Sequence, residues 1–288
     1  MLMRPQIRGF FDEATHTITY LAADPATGEA AIIDPVLAFD AAAGRTSPHL
    51  ADDVLAAAEE AGLCVTWVLE THAHADHLTA AKLIAARTGA KIGIGAGIAA
   101  VQTRFAPLLG VASEEATTAV FDRLFEDGET FALGALTVRV IATPGHTPAC
   151  VSYLVGDAVF VGDTLFMPDF GTARADFPGG DARTLYRSIQ KLLALPDETR
   201  MYVGHDYPPP KRQVPSFETT VGAQKRSNVH VGGGATEDAF VAMRDARDAQ
   251  LGLPKLMIPS LQVNIRGGTA PRPEADGRSY LKIPFDAS

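Results

Sequence analysis

Three histidines and one aspartate fall within six residues, His72 to His77, directly after the mostly apolar run Cys64-Val65-Thr66-Trp67-Val68-Leu69. A run of that length, rich in β-branched and aromatic side chains, reads as a buried strand. Helical partners meet at i and i+4, whereas residues just beyond a strand direct alternate side chains, here His72 and His74, to one side. The turn into a following helix then swings Asp76 and His77 to the same cavity. Imidazole nitrogens mixed with carboxylate oxygens suit Zn, Fe, Mn or Ni rather than Ca or Mg. The segment Thr71-His72-Ala73-His74-Ala75-Asp76-His77 therefore calls for a fold that presents a metal site at a strand's carboxyl end.

The flanking sequence supplies such a fold. Thr15 to Ala22 and Glu29 to Asp34 alternate like the arms of a hairpin about the turn Asp24-Pro25-Ala26-Thr27-Gly28. Asp52 to Ala61 has helical spacing and is stopped by Gly62. After the cluster, Leu78 to Thr88 reads as helix, Lys91 to Ile94 as a short strand, and Gly128 to Ile141 as a hairpin turning at Gly134. Strands are expected again at Cys150 to Val155 and Ala158 to Val161. Asp181 to Ala194 is amphipathic, with Leu185, Ile189, Leu192 and Leu193 on one stripe and Asp181 placed as its cap. Met201 to Gly204 closes the core as its last strand, and the Pro- and Gly-rich remainder holds one helix, Thr236 to Leu251, in a loop-rich tail. Two batches of strands punctuated by helices predict an α/β sheet pair covered by helices on its outer faces. We expect residues 1–212 to form that domain and 213–288 an extension packed on it.

Three further polar switches stand at strand ends. His146 lies in the tight turn Thr143-Pro144-Gly145-His146-Thr147-Pro148, Asp163 ends the apolar run Val159-Phe160-Val161-Gly162, and His205 ends Tyr202-Val203-Gly204. Their convergence on one rim with the first cluster is the pattern of a functional site.

Composition narrows the partners. With 47% hydrophobic residues, 20% charged residues and a net charge of −9, the chain resembles a soluble globular protein with no basic stripe for nucleic acid and no apolar run that would span a bilayer. Met1 to Arg8 lacks an apolar signal core, so a cytoplasmic location is expected. Cys64 and Cys150 sit in apolar strand contexts and read as buried free thiols rather than a disulfide. Leu-, Val- and Pro-rich loops in the tail could support a homodimer contact.

The ordered motifs THAHADH, TPGHT, GDTLF and VGHDY resemble the metallo-β-lactamase superfamily over roughly residues 10–210. That resemblance implies an αββα sandwich with the motifs along one edge of two mixed sheets. Asp163 stands where class B1 zinc β-lactamases carry cysteine, and His74 where flavodiiron oxidoreductases carry glutamate. The 42 residues from Asp163 to His205 leave no room for the inserted domain of nucleic-acid-processing members. What remains is the thioester and persulfide branch. Ile32-Ile33-Asp34-Pro35-Val36, Gly171-Thr172-Ala173-Arg174-Ala175-Asp176-Phe177, Gly204-His205-Asp206-Tyr207 and Asn264-Ile265-Arg266-Gly267-Gly268 resemble the persulfide dioxygenases of that branch.

The resemblance implies that His72, His146 and Asp163 hold one Fe(II) as a two-histidine, one-carboxylate triad, for oxidation of glutathione persulfide or a related persulfide by O₂. His74, Asp76, His77 and His205 would then orient ligands or, in a glyoxalase II-like alternative, help hold two Zn(II) for thioester hydrolysis. In that alternative His72, His74 and His146 bind one ion, Asp76, His77 and His205 the other, and Asp163 bridges. Asp76 and Tyr207 are the catalytic candidates, and Arg174, Tyr207 and Arg266 the substrate-binding ones. A metal- or sulfur-binding protein without catalysis is the third possibility.

Overall fold

The computed structural model describes residues 4–210 and 212–285; Met1 to Met3, which open the segment read for a signal sequence, lie outside them. The chain begins with β1 (Gln6–Asp12), β2 (Thr17–Ala23), β3 (Glu29–Ile33), β4 (Val36–Asp40) and β5 (Arg45–Ser47). It continues through α1 (His49–Glu60), β6 (Cys64–Leu69), β7 (Leu78–Thr79), α2 (Ala81–Thr88), β8 (Lys91–Gly95), α3 (Ile98–Leu108) and β9 (Arg123–Phe125). The second half holds β10 (Thr130–Leu133), β11 (Leu136–Ala142), β12 (Val151–Val155), β13 (Ala158–Phe160), α4 (Ala182–Leu193), β14 (Arg200–Tyr202) and β15 (Glu218–Thr220). Helices α5 (Val221–Ser227), α6 (Glu237–Asp248) and α7 (Met257–Asn264) follow.

Two six-stranded sheets result, ordered β1-β2-β3-β6-β8-β9 and β10-β11-β12-β13-β14-β15, with a small sheet β5-β4-β7 beside them. The two-residue period of a strand sorts its side chains to opposite faces. Thus Ile32 joins the outer apolar cluster that holds Val54 of α1 and Ile84 of α2, whereas Ala31 and Ile33 belong to the cluster between the sheets. Between the sheets lie Ile18, Tyr20, Leu69, Val138, Val140, Tyr153 and Phe160. On the far side, Val159 and Met201 meet Leu185, Ile189 and Leu192 of α4 and Phe240 of α6. The architecture is an αββα sandwich, and Asp181 caps α4 by accepting from the Thr184 amide at 2.7 Å.

Strand direction places the site. β11 and β13 are both antiparallel to β12, and β13 is parallel to β14, so β11, β13 and β14 run the same way. His146, Asp163 and His205 follow the carboxyl ends of those three strands, and His72 follows β6 of the other sheet.

Several expectations are corrected. Leu78 and Thr79 belong to a strand, not a helix, because they pair with β4 through Val36↔Thr79 and Leu37↔Leu78. The last strand of the second sheet is β15, antiparallel to β14. Besides the helix capped by Thr236, the region after residue 212 contains α5 and α7, both too short to leave a sustained helical periodicity. Cys150 is buried and both thiols are free, but Cys64 is exposed at the start of β6. No helix among the described residues is long and apolar enough to cross a membrane.

Candidate metal centre

Backbone geometry brings the strand ends together. Gly162 has φ +49°, and a Cβ there would run into the Thr71 side chain. A Cβ on Gly204 would lie 2.8 Å from Asp163 Oδ1 and 2.9 Å from the Gly162 carbonyl carbon. The two glycines let β13 and β14 close on β6. Gly204→Ala is accordingly expected to displace Asp163 and weaken metal affinity by at least about tenfold, measured by chelator competition on the folded variant.

His72, His146 and Asp163 form one buried set whose ligand atoms lie within 4.8 Å of one another. His74, Asp76, His77 and His205 form a second such set, and Asp34, Glu70 and His74 a third. Asp163 stands between the first two: Oδ2 is 3.9 Å from His72 Nε2 and 3.7 Å from His146 Nε2, and Oδ1 is 3.4 Å from His205 Nε2.

The partners of each ring determine which nitrogen faces the centre. His146 Nδ1 lies 2.8 Å from the Arg174 carbonyl, which can only accept, so Nδ1 carries the proton and Nε2 is left with its lone pair. Thr71 Oγ1 donates to Asp34 Oδ2 at 2.8 Å and thus accepts from His72 Nδ1 at 3.1 Å. Thr15 Oγ1 donates to Asp12, leaving the Thr17 hydroxyl to donate to Thr15 and to accept from His77 Nδ1 at 3.3 Å and His205 Nδ1 at 3.4 Å. All four rings therefore offer Nε2 to the centre.

His74 is held differently. Its Nε2 is 3.1 Å from Asp34 Oδ1 and 3.6 Å from Glu70 Oε2. Burial alone would favour its neutral ring, but the two carboxylates outweigh that and raise its pKa well above the usual value. Burial likewise would raise the Asp76 carboxyl, yet His205 and His77 hold it well below the ordinary range. Burial, reinforced by His74 and His146, keeps His72 neutral, as a metal ligand must be.

The donor set fits a metal. His77 Nε2, His205 Nε2, Asp76 Oδ2 and Asp163 Oδ1 are buried without a hydrogen-bond partner among the described residues. Polar groups so placed cost stability unless a cation satisfies them.

A cavity of about 1030 Å³ opens over the centre between the β1–β2 turn, β4, β5, the segment 163–177 and the segment 251–256. Tyr207 lines it, lies flat against His205 with ring centroids 5.5 Å apart, and is kept protonated by burial. Arg174 also lines it, but its guanidinium is engaged by both oxygens of Asp176 and by the Gly252 carbonyl, each at 2.6 Å. Arg266, expected from the sequence to bind substrate, does not line the cavity. It is buried away from the cavity, with Nε 2.8 Å from Glu115 and Nη1 donating to the Gln262 carbonyl. Sequence reasoning missed the roles of Thr17, Glu70 and the Arg174 carbonyl, for which only the acidic Glu70 beside the cluster left a trace.

Two imidazole–carboxylate sets on the rim of an αββα sandwich define a metal-binding α/β protein. The profile of the metallo-beta-lactamase superfamily matches residues 15–205, and the chain belongs to that superfamily. It is 52% identical to a probable metallo-hydrolase of Burkholderia pseudomallei, over 98% of this chain and 99% of that one. It is 46% identical to glyoxylase B2 of Dictyostelium discoideum, over 99% of each chain. Persulfide dioxygenase ETHE1 of Homo sapiens is 32% identical over 70% of this chain and 68% of that protein. The crystal structure of ETHE1 from Myxococcus xanthus superposes with a TM-score of 0.75 at 32% identity, covering 92% of this chain and 100% of that one. The chain spans about two thirds of the beta-lactamase hydrolase-like proteins of Agrobacterium fabrum and Xylella fastidiosa, covering 65% and 66% of their lengths.

Proposed function

We propose that the protein is a persulfide dioxygenase acting on glutathione persulfide or a related small persulfide, with one Fe(II) held by His72, His146 and Asp163. The observation that carries this reading is that these three form a buried set of their own, without His74. Two imidazoles and one carboxylate are the donors of non-haem iron oxygenases. Likeness to persulfide dioxygenase ETHE1 adds support. The balanced reaction is RSSH + O₂ + H₂O → RSH + SO₃²⁻ + 2H⁺. Iron at this site would supply open positions at which the persulfide sulfur and O₂ are brought together and activated. The chain's own contribution is orientation and enclosure. Thr71 and the Arg174 carbonyl fix the tautomers of His72 and His146, and Phe166, Phe170 and Phe177 line the cavity. The protonated Tyr207 phenol is available there as a hydrogen-bond donor toward bound oxygen or sulfur.

A thioester hydrolase with two Zn(II) is the second reading, supported by the grouping of Asp76, His77 and His205 in a second buried set and by the likeness to glyoxylase B2, although His74 falls in that set rather than with His72 and His146 as two-zinc ligation requires. Anaerobic purification, metal analysis and an oxygen electrode decide between them. About one iron per chain and oxygen uptake on addition of glutathione persulfide are expected. Two zincs, no uptake and turnover of S-lactoylglutathione would overturn the proposal. His205→Ala sharpens the test, because iron should persist with affinity lowered about 10–100-fold, whereas a second zinc should be lost.

A further inference from the structure

Asn264, the last residue of α7, is 4% exposed and reaches the metal loop from 190 residues further along the chain. Its Nδ2 donates to the His74 carbonyl and to the His77 carbonyl, each at 2.8 Å, and its Oδ1 accepts from the Thr79 amide at 2.9 Å. Carbonyls only accept and an amide N–H only donates, so these partners fix which end of the side chain is nitrogen. The loop from His74 to His77 lies outside the ladders of the sheets, and its buried carbonyls need donors from elsewhere. A planar carboxamide with two donors and one acceptor meets all three demands at once. The approach is close: a Cβ on Gly268, four residues on, would lie 3.2 Å from the Lys82 amide nitrogen. The hydrogen bonds of Asn264 reach the His74 and His77 carbonyls, so what it does for the site acts through the backbone.

We infer that Asn264 is a positioning residue that clamps the backbone of His74 and His77 in the arrangement that receives metal, making metal affinity depend on the docking of α7. The inference rests on the reading of the cluster as a metal centre, but on neither choice of metal nor of reaction. Asn264→Asp keeps the shape and the acceptor for Thr79 while replacing both donors by a carboxylate oxygen aimed at two carbonyls. Co(II) is the probe, titrated into metal-free protein and followed by its visible absorption and by chelator competition. Asn264→Asp should bind Co(II) about 10–100-fold more weakly than wild type, with an altered absorption band.

Gln262→Ala is the control for general loosening of the tail, since Gln262 pairs with Lys282 rather than with the metal loop. It should stay within about twofold of wild type. Equal affinity of Asn264→Asp and wild type, or an equal loss in both variants, overturns the inference. A wild type that binds no Co(II) overturns the metal reading itself. Should Asn264→Asp not fold, Asn264→Ser, which retains one donor, carries the comparison at a smaller loss. Amide exchange in the wild type needs no variant: coupling is reciprocal, so Zn(II) should slow exchange of the Thr79 N–H, and unchanged exchange overturns the inference.

Discussion

Asp163→Ala is expected to leave a folded protein that retains no metal after dialysis and shows no activity. Asp163 lies between both ligand sets, with one oxygen 3.7 Å from His146 Nε2 and the other 3.4 Å from His205 Nε2. Its loss strips the centre of the anion that links His72, His146 and His205. The fall in affinity should exceed the roughly 10–100-fold seen when a group that merely orients a ligand is removed. Metal-free stability should move the other way or not at all, because Oδ1 is buried without a hydrogen-bond partner and Asp76 is a second carboxylate nearby. Metal analysis and a thermal melt of the metal-free form test both halves. A variant that keeps a full metal load would remove Asp163 from the centre.

Phe160→Ala should be the most costly change to the fold, at about 3–5 kcal/mol. The ring is 1% exposed between the sheets, with centroids 5.2 Å from both Tyr20 and Tyr202. Tyr20 in turn donates its hydroxyl to the Val203 carbonyl at 2.6 Å, so the lost ring also loosens the join between β2 and the end of β14. Asp163 lies three residues beyond Phe160, and metal affinity should fall with stability. Urea unfolding monitored by circular dichroism gives the difference from the shift in midpoint at constant slope. A loss below about 1 kcal/mol would mean that the inter-sheet space is not closely packed there.

The strands most legible in the sequence were those with one environment on each face. β11 alternates buried and exposed residues, and β3 and β6 are short apolar runs bounded by Gly28, Gly62 and Pro35. Leu78 and Thr79 read as helix in sequence because two residues carry no period, and only the pairing partner β4 makes them a strand. The exposed Cys64 misled for a related reason: an apolar run does not reveal which of its ends reaches the surface. Arg266 looked like a substrate residue by its setting in a motif, yet Glu115, far away in sequence, holds it elsewhere.

The sequence by itself determined the candidate donors of the centre. The density of His72, His74, Asp76 and His77, and the placing of His146, Asp163 and His205 after strands, follow from local order along the chain. Only the tertiary structure decided how those donors divide. The common direction of β11, β13 and β14 groups Asp163 with His72 and His146, while buried Asp34 and Glu70 face His74. The reason is physical: a residue type carries its chemistry with it, but which nitrogen carries the proton and which partner satisfies it depend on groups that only folding brings near. Thr17, the Arg174 carbonyl and Asn264 belong to that second kind, and they are what turns a cluster of ligands into an oriented site.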